Sequence, residues 1–154
     1  MLPFRLRKDA RLWFRGLEGT FKTDAILFEW FYFCVAAGLK HGRKRDVLDS
    51  DTDELVNYYP GEFKTRGRLL TGWLIAAELK DQGIAIQEKA QVHKCISNLV
   101  DPQSPSTLSA NGVKKMNSYS SGGFELIFGK ITDPPKSFPA FLIQFRKLVQ
   151  SSAE

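Results

Sequence analysis

From Ala25 to Ala37 the chain runs thirteen residues with a single charge, Glu29. That stretch constrains the fold more than any other. A bilayer span needs about twenty apolar residues, so this segment is too short to cross a membrane. Its period is helical and its apolar residues (Ile26, Leu27, Phe28, Trp30, Phe31, Phe33 and Val35) fall on all sides of the helix. A helix apolar all round must be surrounded by other helices or by a partner subunit. The spacing predicts a helix over 24–39, with Thr23 as its N-cap and Asp24 near the positive end of its dipole.

The rest of the chain offers the helices needed to cover it. Residues 8–18 read as a first helix with Leu12, Trp13 and Leu17 on one face and Gly19 as its stop. Asp51 and Glu54 stand at capping-box spacing and predict a short helix over 52–58, ended by Tyr58-Tyr59-Pro60-Gly61. A longer helix is expected over 62–81, with Phe63, Leu70, Trp73, Leu74 and Ala77 inward and Gly83 ending it. Another over 86–100 places Ala90, Cys95, Ile96 and Leu99 inside. Ser109 caps a helix over 110–121, and Gly122-Gly123 either kinks it or divides it from a short helix over 124–129. Phe138, Phe141, Leu142, Phe145 and Leu148 define a last amphipathic helix ending near Gln150. No β-hairpin signal or internal repeat competes. The expected architecture is all-α, a compact bundle of six to eight helices. Residues 1–154 form one helical domain in this reading, with a subdomain break near 101–108.

Charge is distributed in blocks. Residues 1–45 carry ten Lys or Arg against four acids, whereas residues 46–62 carry six acids and no Lys or Arg. Such a layout either steers a polyanion to one face or pairs with itself, the acidic loop folding onto the basic helix. Cys34 and Cys95 belong to no CxxC pair and have no histidines at ligand spacing, so they read as buried, reduced thiols. The opening Met-Leu-Pro-Phe-Arg-Leu-Arg-Lys has no apolar run of the signal-peptide kind, and both features point to the cytoplasm.

Little in the sequence nominates an enzyme. His41 lies at a basic helix end and His93 inside a helical segment, and neither has a nucleophile at motif spacing. Asp49-x-Asp51-x-Asp53 opens like a calcium loop, but Glu54 replaces its glycine and Pro60 its closing glutamate. Gly122-Gly123 lacks the frame of a phosphate loop, while Gly61 and Gly67 beside Lys64, Arg66 and Arg68 give only a weak phosphate signal. No catalytic residue, cofactor or metal site is expected. An enzymatic reading would need Glu29, Glu78, His41 or His93 to meet in a cleft.

The remaining signal is three basic clusters. Arg5, Arg7, Lys8, Arg11 and Arg15 line the first helix and its leader, Arg43, Lys44 and Arg45 follow the second helix, and Lys64, Arg66 and Arg68 open a later one. Converging on one face, they would hold a nucleic-acid backbone through phosphate contacts. Trp13, Trp30 and Trp73 fall on apolar helix faces and read as core rather than as base-stacking platforms. The opening Leu2-Pro3-x-Arg5-Leu6-Arg7, the helix over Ala10–Leu17 and the segment Thr23–Leu39 resemble the start of the DndE family, small helical proteins of the bacterial DNA phosphorothioation machinery. The resemblance covers about a quarter of the chain. It implies a DNA-binding, self-associating accessory subunit of a sulfur-modification or related phage-defence complex, with Arg5, Arg7, Lys8 and Arg11 carried over.

Two functional expectations follow. The first is a non-enzymatic nucleic-acid-binding accessory subunit of a prokaryotic DNA-modification or phage-defence complex. Its partners would be DNA, other protein subunits and copies of itself, with no membrane contact. The alternative is a helical adaptor or oligomerisation protein that binds other protein subunits without nucleic acid. Its motivation is the excess of large apolar residues on the second and last helices. An exposed patch containing several of Phe28, Phe31, Tyr32, Phe138 and Phe141 would support it, whereas burial of all five would remove its main basis.

Overall fold

The computed structural model describes residues 2–20 and 26–151, so the predicted cap at Thr23 and its neighbour Asp24 lie outside the described residues. The elements in chain order are β1 (Arg5–Arg7), α1 (Lys8–Phe14), a 3-10 helix over Arg15–Thr20, and α2 (Ile26–His41). A 3-10 turn over Asp49–Asp51 precedes β2 (Thr52–Glu54), and another over Gly61–Phe63 precedes α3 (Lys64–Asp81). The chain continues with α4 (Lys89–Leu99), α5 (Ala110–Lys130) and α6 (Phe138–Gln150). The expected helical predominance holds. The departure from a pure bundle is the two-stranded sheet β1–β2, which the sequence reading did not contain. Among the described residues, no helix is long and apolar enough to cross a membrane.

Two compact units are present, and each is discontinuous in sequence: residues 1–4 with 56–116, and residues 5–55 with 117–154. The division does not fall at 101–108. That stretch lies inside the first unit, closed by an isolated bridge between Val100 and Leu108.

In the first unit, α3 turns Gly67, Leu70, Thr71, Leu74 and Glu78 inward. Phe4 stacks on Tyr59 at 5.4 Å, and the Tyr59 hydroxyl shares a hydrogen bond with Thr71 Oγ1 at 2.9 Å. Burial pushes the Tyr59 phenol up to about 12, the Thr71 bond partly offsetting it. A Cβ on Gly67 would stand 2.3 Å from the Tyr59 ring. Gly67 is therefore a notch for an aromatic ring and not the phosphate approach suggested by its neighbours. Trp73 departs from expectation as well: it is 42% exposed, at the edge of the buried face of α3. On α4, Cys95 and Leu99 are buried as expected, but Ala90 is exposed. Glu78 is buried and takes an ion pair from Lys115 Nζ at 3.6 Å.

In the second unit, α2 is the central helix, with Phe28, Trp30, Phe31, Phe33, Cys34, Val35, Ala37 and Leu39 all buried. Each of the phenylalanines, Val35 and Leu39 contributes about 1.5–3 kcal/mol of transfer free energy. The buried face of the first helical segment is Ala10, Trp13, Phe14 and Leu17, whose spacing is more regular than the predicted face. Leu12, expected inside, is 59% exposed. Phe14 stacks flat on Trp30 at 4.7 Å, and Phe141 of α6 meets Trp13, Phe14 and Phe33 edge-on. Ser137 caps α6, its hydroxyl accepting from the Ala140 N–H. The predicted cap of α5, whose start belongs to the first unit, is also in place, with Ser109 Oγ accepting from the Gly112 N–H at 3.0 Å.

The glycine pair 122–123 neither kinks nor divides α5, which runs unbroken from Ala110 to Lys130. A Cβ on Gly123 would lie 1.7 Å from the Cys34 carbonyl oxygen, and one on Gly38 would lie 2.0 Å from that of Tyr119. The backbones of α2 and α5 thus touch at a crossing that admits no side chain. Close packing there offsets the roughly 1 kcal/mol that a mid-helix glycine costs.

The predicted helix over 52–58 is absent. Thr52, Asp53 and Glu54 instead pair antiparallel with Arg7, Leu6 and Arg5. Leu6 points inward at 1% exposure while its two arginine neighbours are half-buried, the alternation of a strand. Opposite charges face each other across this ladder, Arg5 against Glu54, which favours the pairing.

Candidate nucleic-acid interface

The sheet and one turn place the basic residues of the second unit. At the end of α2, Gly42 takes φ +64, the left-handed region glycine enters without strain. The Arg43 N–H then donates to the Gly38 carbonyl at 2.9 Å and that of Gly42 to Leu39 at 3.4 Å, a Schellman turn. The turn sends residues 43–46 along α5. The Arg43 carbonyl sits where a Cβ on Gly122 would be (2.3 Å), and the Arg45 N–H donates to the Ser118 carbonyl at 2.9 Å. The Ser118 hydroxyl in turn bonds the Asp46 carboxylate.

Three arginines from two separate sequence clusters meet at one carboxylate on α5. Glu125 lies 3.6 Å from Arg7 Nη1, 3.4 Å from Arg43 Nη2 and 3.3 Å from Arg45 Nε. Arg7 is further held by a two-pronged contact with Asp9, its Nη2 at 2.7 Å and its Nε at 2.9 Å, and lies over the Phe124 ring. Lys44 stands over the Tyr119 ring at 5.6 Å. Arg7 and Glu125 are mostly covered, whereas Arg43 and Arg45 are 49% and 64% exposed. A guanidinium carries five N–H donors, and one shared carboxylate occupies few of them. Arg43 and Arg45 therefore present donors to solvent, suited to an anion with several oxygens.

The other predicted residues divide. Arg5 is paired with Asp49 at 3.6 Å and Glu54 at 4.0 Å, and Arg11 with Asp53 at 3.4 Å. The acidic block thus does fold against part of the basic leader, and Asp49 and Asp53 are ion-pair partners instead of loop ligands. Lys8 and Arg15 are exposed. Lys64, Arg66 and Arg68 belong to the other unit, all exposed at the start of α3, with Arg66 over the Phe63 ring at 5.5 Å.

No family model, curated protein or solved structure matches this chain. The site therefore rests on its own geometry.

Within the second unit, Glu29 and His41 stand apart on α2. His41 bonds the Leu148 carbonyl at 2.9 Å, and Glu29 lies twelve residues earlier on the same helix, about 18 Å along its axis. Glu78 is buried beneath Lys115, while His93 is exposed on α4. Among the described residues, no three His, Cys, Asp or Glu side chains group to hold a metal. Both thiols are free and buried, and burial pushes each up from its ordinary range, for Cys95 with help from the Glu78 charge. Sequence reasoning missed Glu125 altogether, because a lone acid on a helix thought to break two residues earlier carries no signal.

If Glu125 holds the arginines together, Glu125→Gln leaves three guanidinium groups facing one another. The expected loss is about 1–2 kcal/mol, since the pairs are partly solvated and individually weak. Replacing chloride by phosphate at equal ionic strength should restore more stability to this variant than to the parent chain in urea titrations. An equal response of the two proteins would mean that the cluster does not take up an anion.

Proposed function

We propose that this chain is a non-enzymatic nucleic-acid-binding accessory subunit that contacts the phosphate backbone. The observation carrying this reading is the gathering of Arg7, Arg43 and Arg45 around Glu125, with Lys44 beside them. Backbone contacts of this kind position a protein without reading sequence. The resemblance of the first forty residues to the DndE family adds a setting, a prokaryotic DNA-modification or phage-defence complex. Arg7 is shared by that resemblance and by the cluster.

The adaptor alternative is motivated by the large apolar residues of the second and last helices, and an exposed patch containing several of five aromatics would support it. Phe28, Phe31 and Phe141 are buried at 2%, 0% and 1% exposure, and Tyr32 and Phe138 are only half-exposed. No such patch forms from them, and the nucleic-acid reading is preferred.

Fluorescence anisotropy of labelled duplex, nicked and single-stranded DNA at two salt concentrations tests it. Four phosphate contacts would weaken affinity on the order of a hundredfold between about 50 and 200 mM salt, by release of counterions. The triple variant Arg43→Ala, Lys44→Ala, Arg45→Ala should bind more weakly, with a salt slope shallower by about 2–3. Absence of binding at low salt, or binding indifferent to the triple substitution, would remove the proposal.

A further inference from the structure

The acidic block meets the basic leader at a particular place. Arg5 and Arg7 flank the inward Leu6, so both side chains leave β1 on the same side, about 7 Å apart along the strand. Arg7 joins Arg43 and Arg45 at Glu125, and Arg5 is the next cation along that side of β1. The register sets Glu54 opposite Arg5 and Thr52 opposite Arg7, while Asp53 lies opposite Leu6 and belongs to the other side. One short segment therefore surrounds Arg5. Asp49 Oδ1 lies 3.6 Å from its Nε, Glu54 Oε1 lies 4.0 Å from its Nη2, and its Nη1 donates to Thr52 Oγ1 at 3.3 Å.

The segment itself is well held. Its backbone pairs with β1, Thr52 is buried and donates its hydroxyl to the Asp49 carbonyl at 2.8 Å, and Asp53 pairs with Arg11 at 3.4 Å. The two carboxylates on Arg5 are held loosely. The turn over Asp49–Asp51 buries no residue, and the Asp49 and Glu54 side chains are 79% and 65% exposed against 24% for Arg5. Exposed ion pairs of this length are weak, unlike the 2.7 Å contact between Arg7 and Asp9. Asp49 and Glu54 can thus turn into solvent while β2 stays paired. Around one guanidinium they supply the charge and the oxygens that a phosphate would bring.

We infer that Asp49 and Glu54 are an autoinhibitory contact, competing with a nucleic-acid backbone for Arg5. With the carboxylates in place, the cationic row ends at Arg7. Without them it gains one more phosphate site. The inference rests on the nucleic-acid reading above and adds to it a restraint on affinity built into the fold.

The test follows labelled duplex DNA by anisotropy over a salt series, using the whole chain. Asp49→Asn with Glu54→Gln removes the competing charge and keeps the side-chain shapes. A control, Glu88→Gln with Asp133→Asn, removes the same charge from exposed acids elsewhere. The neutralised variant should bind more tightly than the parent, with a salt slope steeper by about 1. Its advantage should therefore grow about threefold as salt falls from roughly 200 to 50 mM. The control should keep the slope of the parent. Arg5→Gln should cost the neutralised variant about threefold more affinity than it costs the parent, a coupling that charge removal alone does not produce. If Arg5→Gln does not fold, the comparison of the neutralised and control variants decides.

Equal slopes in the neutralised variant and the parent would overturn the inference. The same steepening in the control, or an equal cost of Arg5→Gln in both backgrounds, would do so too. Any of these results with DNA still bound defeats this inference alone, whereas no binding by any of the proteins at low salt defeats the proposed function with it.

Discussion

Gly123→Ala is expected to lower the stability of the second unit by about 3 kcal/mol, the upper end of what overpacking costs. The added methyl would stand 1.7 Å from the Cys34 carbonyl oxygen and 2.7 Å from the Gly38 nitrogen. Both are backbone atoms of α2, so no side chain can rotate away and the two helices must separate. Separation would also loosen the packing of Gly38 against Tyr119 and the seat of Arg43 on Gly122. A chain of this size should melt about 6–12 °C lower. Gly129→Ala supplies the control on the same helix, because its Cβ would meet nothing within 4 Å. There the better helix propensity of alanine should add roughly 0.5–1 kcal/mol. Scanning calorimetry of the two variants beside the parent chain measures both effects. Equal melting of Gly123→Ala and Gly129→Ala would mean that α2 and α5 do not make the close crossing.

Phe141→Ala should cost about 3–5 kcal/mol, the range for emptying a large buried aromatic site. Its ring is 1% exposed and lies 5.1 Å from Phe33, 5.3 Å from Phe14, 5.6 Å from Phe145 and 6.1 Å from Trp13. These rings belong to α1, α2 and α6, so the cavity would open where three helices meet. α6 should undock before the rest of the unit unfolds, since Phe141 and Leu148 are the buried residues holding it. Trypsin reports that directly, because Arg146 and Lys147 lie within α6 and are protected only while it is helical. Phe141→Leu, which keeps most of the volume, should lose less than half as much. Slow cleavage at Arg146 and Lys147 in Phe141→Ala, matching the parent chain, would show that α6 is anchored elsewhere.

Local pattern carried a good part of this fold. The all-round hydrophobicity of α2, the stripe of α6 and the stop at Gly83 follow from neighbours a few residues apart, and these elements lie close to where the periodicity puts them. The pairing of acidic and basic blocks was also legible, as one of two outcomes. Arg5 and Arg11 took it, while Arg43 and Arg45 did not meet that loop and converge with Arg7 on Glu125.

Three features were beyond reach for a common reason. Asp51 and Glu54 carry a capping-box signal, yet Thr52–Glu54 pairs antiparallel with the distant strand Arg5–Arg7. Gly122-Gly123 reads locally as a break, yet it is the gap that lets α5 pass against α2. Trp73 reads as core by spacing, yet α3 buries a face centred on Gly67, Leu70 and Leu74 and leaves the indole in solvent. The residue types and their spacing were enough to choose helices and to mark where charge collects. Which glycine is a notch, which arginines share a carboxylate and which tryptophan faces water depend on contacts between distant segments, whose free energies outweigh the roughly 1 kcal/mol preferences that local sequence expresses.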